Sequence, residues 1–196
     1  MQVLDEQKRL KIIVAAARLF ATQPFHKVLL SEVAKAAGVG KGTLYTYFKS
    51  KEDLYCSVVY SGFSDLVATL RDQIDQDLHD PVGTLETMIR AIVAFAGKNP
   101  SHFEVMRVAS VQQALDLVQW SQKRQELTGL IEAVIRRGVE QGVFRDPHPD
   151  WTARLIPGCV RSLMIDGHDP QDVPVMCEHI LHFVRASLQG DQGGCV

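Results

Sequence analysis

Apolar residues recur three and four positions apart along almost the whole chain, and no long stretch alternates apolar and polar residues as a half-buried strand does. Spacings of three and four bring side chains to one face of an α-helix. Leu10, Ile13, Ala17 and Phe20 form the first such stripe. The pattern therefore predicts an all-α fold.

Turn-forming sequences interrupt this pattern and divide it into nine predicted helical segments, with breaks such as QPFH, HDPVG and GKNP. Ser50 followed by Asp53 resembles a capping box and predicts the start of the fourth segment. Ser101 followed by Glu104 predicts the start of the sixth in the same way. Pro157 lies within the eighth segment and predicts a kink or a break there, because proline lacks a backbone donor.

The last two segments carry apolar residues on more than one side, a stripe wider than burial against one neighbour requires. We therefore expect these two helices to pack in an interface. The apolar positions are Trp151, Leu155, Ile156, Val160, Leu163 and Met164, followed by Val175, Met176, Ile180, Phe183, Val184 and Leu188.

The charge of the chain is unevenly distributed. Residues 1–55 contain nine Lys and Arg against five Asp and Glu, which gives 9 − 5 = +4. The rest of the chain carries 12 − 18 = −6, so that the formal net charge is −2. A basic segment on an acidic body predicts a polyanionic partner for the first part of the chain.

The segments SEVAKAAG and GKGTLYTYF predict two short helices joined by a tight glycine-containing turn, which is a helix-turn-helix. At about 100° per residue, Leu44 and Phe48 lie about 40° apart and form the buried face of the second helix. Thr46 and Gly42 then lie opposite, at about 200° and 160° from Leu44.

The exposed face of this second helix combines small residues, hydroxyl groups and a lysine, which suits a helix that enters a major groove. Threonine methyl groups can contact thymine methyl groups, while tyrosine hydroxyls and lysine ammonium groups can donate to phosphates. A solvated helix with core-packing tyrosines is the alternative for any one of these residues. The candidate DNA-binding residues are Lys41, Gly42, Thr43, Tyr45, Thr46, Tyr47 and, at the start of the next helix, Lys51.

The segment EVAKAAGVGKGTLYTYFKSKEDLY resembles the DNA-binding signature of the TetR family of bacterial transcriptional regulators. The chain departs from that signature where the family usually has hydroxyl N-caps, with Leu29 before the second helix and Gly40 before the third. Ser31 is expected to take over the cap and DNA contact that Leu29 cannot provide. The matching residues are Val33, Ala34, Ala37, Gly38, Val39, Gly42, Thr43, Tyr45, Tyr47, Phe48, Lys51 and Leu54.

The resemblance implies a helix-turn-helix DNA-binding domain over residues 1–50 and a larger helical ligand-binding and dimerisation domain over residues 51–196. It implies a homodimer, joined through the last two helices, that binds a pseudo-palindromic double-stranded DNA operator. A small-molecule effector would release the DNA; repression is the expected activity, with activation left open. Large apolar side chains favour a hydrophobic effector, although they also suit a plain core. The candidate effector contacts are Phe63, Met88, Phe95, Met106 and Trp120.

The main alternative is a TetR-like helical ligand-binding protein that has lost DNA binding, in keeping with Leu29 and the small net charge. An enzyme is not indicated, because the sequence offers no nucleophile and base pair, paired carboxylates, Gly-rich phosphate loop or HExxH motif. His179 and His182 have a spacing compatible with metal ligands, but no complete ligand set accompanies them, and no cofactor or metal is predicted.

The chain has no run near the roughly 20 apolar residues that cross a bilayer, and its first residues do not resemble a secretory signal. The four cysteines form no CxxC pair, which argues against a zinc site or a disulfide framework. We therefore expect a cytoplasmic protein with reduced thiols and no membrane partner.

Overall fold

A computed structural model describes residues 5–76, 79–99, 114–164 and 169–189, and every regular element in those ranges is helical. The predicted all-α fold is confirmed. The predicted helix start at Ser101 lies outside the described residues. The helices are α1 (Glu6–Thr22), α2 (Leu30–Ala36), α3 (Lys41–Tyr47), α4 (Lys51–Gln76), α5 (Pro81–Lys98), α6 (Ala114–Glu140), α7 (Pro149–Met164) and α8 (Val173–Gln189), with 3₁₀ turns at Phe25–Lys27 and Pro170–Asp172.

The described residues fall into two compact units, whose boundary lies within α4 between Gly62 and Phe63. The first unit contains residues 5–62. The domain division expected at residue 50, just before α4 begins, remains a prediction about which part of the chain binds DNA. The second unit contains residues 63–76, 79–99, 115–164 and 169–189.

The first unit buries one core between α1, α2, α3 and the start of α4. The buried face of α1 differs from the predicted stripe, since Leu10 is 57% exposed and Ile12 is fully buried. The segment KIIVAAARLFA is apolar on several sides, so its periodicity alone did not select the face that packs. The core residues are Ile12, Ile13, Ala16, Val28, Val33, Ala34, Leu44, Phe48 and Leu54.

The helix start predicted at Ser50 is confirmed, although the return bond of the capping box goes to Lys49 and not to Ser50 itself. The backbone N–H of Asp53 donates to Ser50 Oγ at 3.0 Å, and Asp53 Oδ2 accepts from the backbone N–H of Lys49 at 2.7 Å. The first bond satisfies a donor that a helix start leaves without an intrahelical partner, and the second joins Asp53 to the residue before the N-cap. They fix the residue at which α4 begins, directly after α3.

The second unit packs α5 against α7 and α8. Asp80 caps α5, because its Oδ1 accepts from the backbone N–H of Gly83 at 2.9 Å. Two ion pairs join exposed surfaces of α5 and α8: Arg90 to Glu178 at 2.6 Å, and Arg185 to Glu86 at 2.5 Å. The buried apolar side chains of these three helices include Leu85, Met88, Ile89, Ile156, Val160, Ile180, Leu181 and Val184.

The turn after α6 depends on two glycines. Gly142 has a φ of +73°, which side chains rarely allow, and it provides the helix stop predicted at this position. A Cβ on Gly138 would overlap the ring of Phe144, which is 4% exposed. Close packing of this aromatic ring against α6 therefore requires glycine at position 138.

The break considered at Pro157 is absent, since α7 continues through this residue from Pro149 to Met164. Proline at 157 removes only the hydrogen bond that the carbonyl of Ala153 would accept. Ala153 and Ile156 before the proline and Val160 after it are all buried. Burial on both sides of the proline explains why the helix is maintained.

The apolar residues of α7 and α8 divide between two faces. Ile156, Val160, Ile180 and Val184 are among those buried in the second unit. Four large side chains remain more than half exposed, and we call them the apolar face of α7 and α8: Trp151 at 58%, Leu155 at 61%, Val175 at 71% and Phe183 at 57%. The wide stripes seen in the sequence therefore supply one face for the core and one for solvent.

Candidate DNA-binding surface

The turn between α2 and α3 has the geometry of a helix-turn-helix. Gly38 has a φ of +67°, and the backbone N–H of Val39 donates to the carbonyl of Ala34 at 3.0 Å. Glycine tolerates this left-handed conformation without the penalty that a side chain imposes. The turn brings α2 into contact with α3, as the sequence predicted.

The buried and exposed faces of α3 are those that the residue spacing predicts. Leu44 is fully buried and Phe48, which follows the helix, is 1% exposed. Tyr45 is 46% exposed and Tyr47 is half-buried. The remaining candidate residues, Lys41, Gly42, Thr43 and Thr46, are all exposed.

Two hydroxyl groups of α3 already have partners within the protein. Thr46 Oγ1 donates to the carbonyl of Gly42 at 3.1 Å, which holds the threonine methyl group in one orientation. The hydroxyl of Tyr47 accepts from the backbone N–H of Asp5 at 3.1 Å. A phenol that accepts one hydrogen bond still has its own O–H to donate.

The N-terminal ends of both helices lack side-chain caps, in agreement with the departures noted in the sequence. Neither Leu29 nor Gly40 makes a side-chain capping bond. Ser31 is exposed as the second residue of α2, so it does not replace the missing N-cap as expected. An N-cap precedes the first helical residue, which here is Leu30, whereas Ser31 follows Leu30.

The side chain of Lys51 makes contacts that the sequence did not predict. Its Nζ donates to the carbonyl oxygens of Phe25, His26 and Val28 at 3.0, 3.3 and 3.3 Å. The ammonium group also lies 4.6 Å from the centroid of the Phe25 ring. Sequence reasoning missed Phe25, whose only signal was an aromatic residue in the QPFH break.

The exposed charges on and beside the helix-turn-helix, over residues 30–50, comprise three lysines and one glutamate, Glu32. Lys41, Lys35 and Lys49 are exposed cations on or beside the helix-turn-helix. Asp5, the cap of α1, has a lowered pKa, chiefly because its carboxylate accepts from the backbone N–H of Lys8. Positive charge of this kind supplies the electrostatic, sequence-independent part of DNA binding.

Four of the five candidate effector contacts lie in the second unit, and three of these pack together. The Phe63 ring centroid lies 5.6 Å from that of Phe95 and 5.7 Å from that of Trp120. Met88 is 1% exposed. Met106 lies outside the described residues.

The metal alternative was based on His179 and His182, which are both exposed on α8. Within the described part of the chain, no group of three or more His, Cys, Asp and Glu residues could hold a metal ion. No helix in the same ranges is long and apolar enough to cross a membrane.

A short glycine turn between two helices, with a small and hydroxyl-rich exposed face on the second, defines the class of helix-turn-helix regulators. Comparison with known proteins agrees with this class. Residues 12–58 match the family model for bacterial regulatory proteins of the tetR family, and residues 78–164 match that for the tetracyclin repressor-like C-terminal domain. The chain belongs to the TetR family and is a transcriptional regulator of that family.

Individual relatives are distant but span most of the chain. The uncharacterised HTH-type transcriptional regulator YhgD of Bacillus subtilis is 25% identical over 179 residues, which cover 85% of this chain and 88% of that protein. The HTH-type transcriptional repressor NicS of Pseudomonas putida is 26% identical over 147 residues, or 72% and 68% of the two chains. The crystal structure of Bacillus subtilis FadR in complex with stearoyl-CoA has a TM-score of 0.63 at 20% identity, covering 91% of this chain and 98% of that one.

Proposed function

We propose that this protein is a ligand-responsive repressor that binds a pseudo-palindromic operator as a homodimer and releases it when a small hydrophobic effector binds. The observation that carries the DNA-binding part is the orientation of α3. Leu44 and Phe48 anchor this helix in the core, while Lys41, Gly42, Thr43 and Thr46 face solvent. Repression is proposed because the relative NicS is a transcriptional repressor.

The exposed residues of α3 would contact DNA, and residues next to this helix would contact the edges of the same site. Gly42 faces open space, because a Cβ there would meet nothing within 4 Å, and its lack of a side chain would let DNA approach the backbone of α3 closely. Thr43 and Thr46 offer methyl groups for thymine, and Lys41, Tyr45 and Tyr47 offer donors for phosphates or guanine. Ser31, which is exposed in the first turn of α2, would contact a phosphate of the same site.

The homodimer would form through the apolar face of α7 and α8. Interface cores are rich in aromatic side chains, and this face exposes Trp151 and Phe183 together with two aliphatic residues. Two-fold symmetry would place the two copies of α3 one helical turn of DNA apart, about 34 Å.

The effector would contact the aromatic cluster of Phe63, Phe95 and Trp120. An acyl chain suits these apolar groups, and the fold is shared with FadR, which has been crystallised with stearoyl-CoA. Phe63 lies on α4, the helix that begins next to α3. An effector with different affinities for two positions of α4 would shift the equilibrium between them.

A matched pair of threonine substitutions tests the DNA-binding part. Thr46 and Thr69 are both exposed helical threonines whose Oγ1 donates to the carbonyl four residues earlier, at 3.1 and 2.9 Å. An operator is first selected from random duplex DNA. Thr46→Asp should then lower operator affinity at least about tenfold, because it brings a carboxylate into the negatively charged groove, while Thr69→Asp should bind as the wild type does.

Failure of the wild type to select any sequence would favour the alternative, a helical ligand-binding protein that has lost DNA binding. Equal operator affinity of Thr46→Asp and the wild type would show that α3 does not face DNA.

Tryptophan fluorescence tests the effector site. The chain has two tryptophans, and the variant Trp151→Phe leaves Trp120 as the single reporter. Long-chain acyl-CoA should change Trp120 emission, raise the melting temperature and release operator DNA at the same concentrations. Coenzyme A without an acyl chain is the control, and equal effects of both compounds would contradict a hydrophobic effector.

A further inference from the structure

The ammonium group of Lys51 is fully engaged within the protein. A lysine ammonium has three N–H donors, and three carbonyl oxygens lie within 3.3 Å of this one. All three belong to the segment 25–28, which connects α1 to α2. Lys51 would have to give up at least one of these bonds to donate to a phosphate.

Aromatic packing holds the same connection against α4. The Phe25 ring lies 5.1 Å from that of Tyr55 and 5.8 Å from that of Phe20. Phe20 and Tyr55 are themselves in edge contact at 4.9 Å. Burial raises the pKa of Tyr55 to about 12, as expected where water is largely excluded. Lys51 and Tyr55, one turn apart on α4, thus contact the same ring.

The connection leads directly into α2, whose start has no side-chain cap. Leu29 occupies the N-cap without a side-chain bond, and Val28 before it is fully buried. The direction in which α2 begins is therefore set by the contacts of residues 25–28. Lys51 makes three of those contacts from the first residue of α4.

We propose that Lys51 is a positioning residue, which fixes α2 and the α3 packed against it relative to the start of α4, and is not a phosphate contact. The proposal rests on the proposed function, because operator binding is one of its readouts. It also assigns Phe25 a role in holding Lys51 in place.

Salt-dependent binding separates positioning from phosphate contact. A lost phosphate contact weakens binding to all DNA alike and lowers the slope of log affinity against log salt concentration by about 0.9. Loss of positioning weakens operator binding alone, because non-specific binding does not need α2 and α3 in one orientation. Lys51→Met is expected to lower operator affinity about tenfold, with its slope and its affinity for unrelated DNA unchanged.

Two further variants make this test decisive. Lys49→Met removes an exposed charge two residues away and serves as the matched control, in which any loss of affinity should be the same for operator and unrelated DNA. Phe25→Leu keeps every charge, and should weaken operator binding in the same selective way as Lys51→Met. Phe25→Leu also allows the proposal to be tested if Lys51→Met does not fold.

Hydrogen exchange provides a readout that needs no DNA. The amides of Glu32 and Val33 donate to the carbonyl of Leu29 at 3.0 and 3.2 Å, and they should exchange faster in Lys51→Met and Phe25→Leu than in Lys49→Met. If the wild type selects no operator, the proposed function fails. The positioning role of Lys51 is then tested by hydrogen exchange alone. Unchanged exchange, a slope lowered by about 0.9, or unchanged operator affinity of the folded variants would each overturn the proposal.

Discussion

The backbone N–H of Asp5 donates to the hydroxyl oxygen of Tyr47 at 3.1 Å, which ties the N-terminal end of α1 to the last residue of α3. The bond orients the phenol, and its remaining O–H can still be donated to a phosphate. Tyr45, two residues earlier, is 46% exposed. The two tyrosines proposed to contact DNA are therefore held to different degrees before DNA binds.

Tyr47→Phe should lower operator affinity about two- to tenfold, the range expected when one hydrogen bond is lost. Tyr45→Phe should cost less, because a more exposed side chain loses more conformational freedom on binding and gains less from the same bond. Titration of labelled operator at fixed salt concentration measures both. A larger loss for Tyr45→Phe, or no loss for Tyr47→Phe, would contradict the prearranged contact.

Phe183→Glu should convert the proposed dimer into a monomer, because it places a charge within the apolar face of α7 and α8. Val143→Glu is the control, since Val143 is 43% exposed but lies in the turn after α6. Sedimentation velocity over a range of protein concentrations measures the oligomeric state. A Phe183→Glu protein that stays dimeric would place the interface elsewhere.

Leu29→Thr should raise the free energy of unfolding by about 1 kcal/mol, since it supplies the hydroxyl cap that α2 lacks. The backbone of Leu29 has φ −101° and ψ 134°, an extended conformation that suits an N-cap. Leu10→Thr makes the same substitution at an exposed leucine inside α1 and should lower stability by a few tenths of a kcal/mol. Urea unfolding at one protein concentration compares the two, and a change of the same sign in both would refute the capping argument.

Glu178 should contribute to stability only above acidic pH. The hydrogen bond from Arg90 lowers its pKa below the ordinary value of 4.5. A group with a lowered folded-state pKa stabilises the fold above its unfolded-state pKa, and this stabilisation disappears as the pH falls through the folded-state value.

The difference in urea midpoint between the wild type and Glu178→Gln should therefore be present at about pH 7 and shrink progressively as the pH falls below 4.5. Glu140→Gln is the control, because Glu140 is exposed and has no ion pair with any described residue. A difference that does not shrink as the pH falls would mean that Glu178 acts through something other than its charge.

The face of α3 was predictable from the sequence because it depends on local geometry. Leu44 and Phe48 lie on one side of a short helix that has few other apolar residues, so their spacing allowed a single packing face. Gly38 at the turn and the Ser50 cap were predictable for the same reason, since each acts within a few residues. The buried face of α1 was not, because apolar residues surround that helix and only its neighbours decide which of them pack.

The sequence by itself determined the all-α fold, the helix-turn-helix and the polar face of α3, because helical periodicity and capping act over a few residues. Only the tertiary structure decided that Lys51 binds the carbonyl oxygens of residues 25–28. It likewise decided that Trp151 and Phe183 stay exposed while Ile156 and Ile180 are buried. These outcomes depend on groups that are far apart in the chain, and the spacing of residues within one helix carries no information about what faces it.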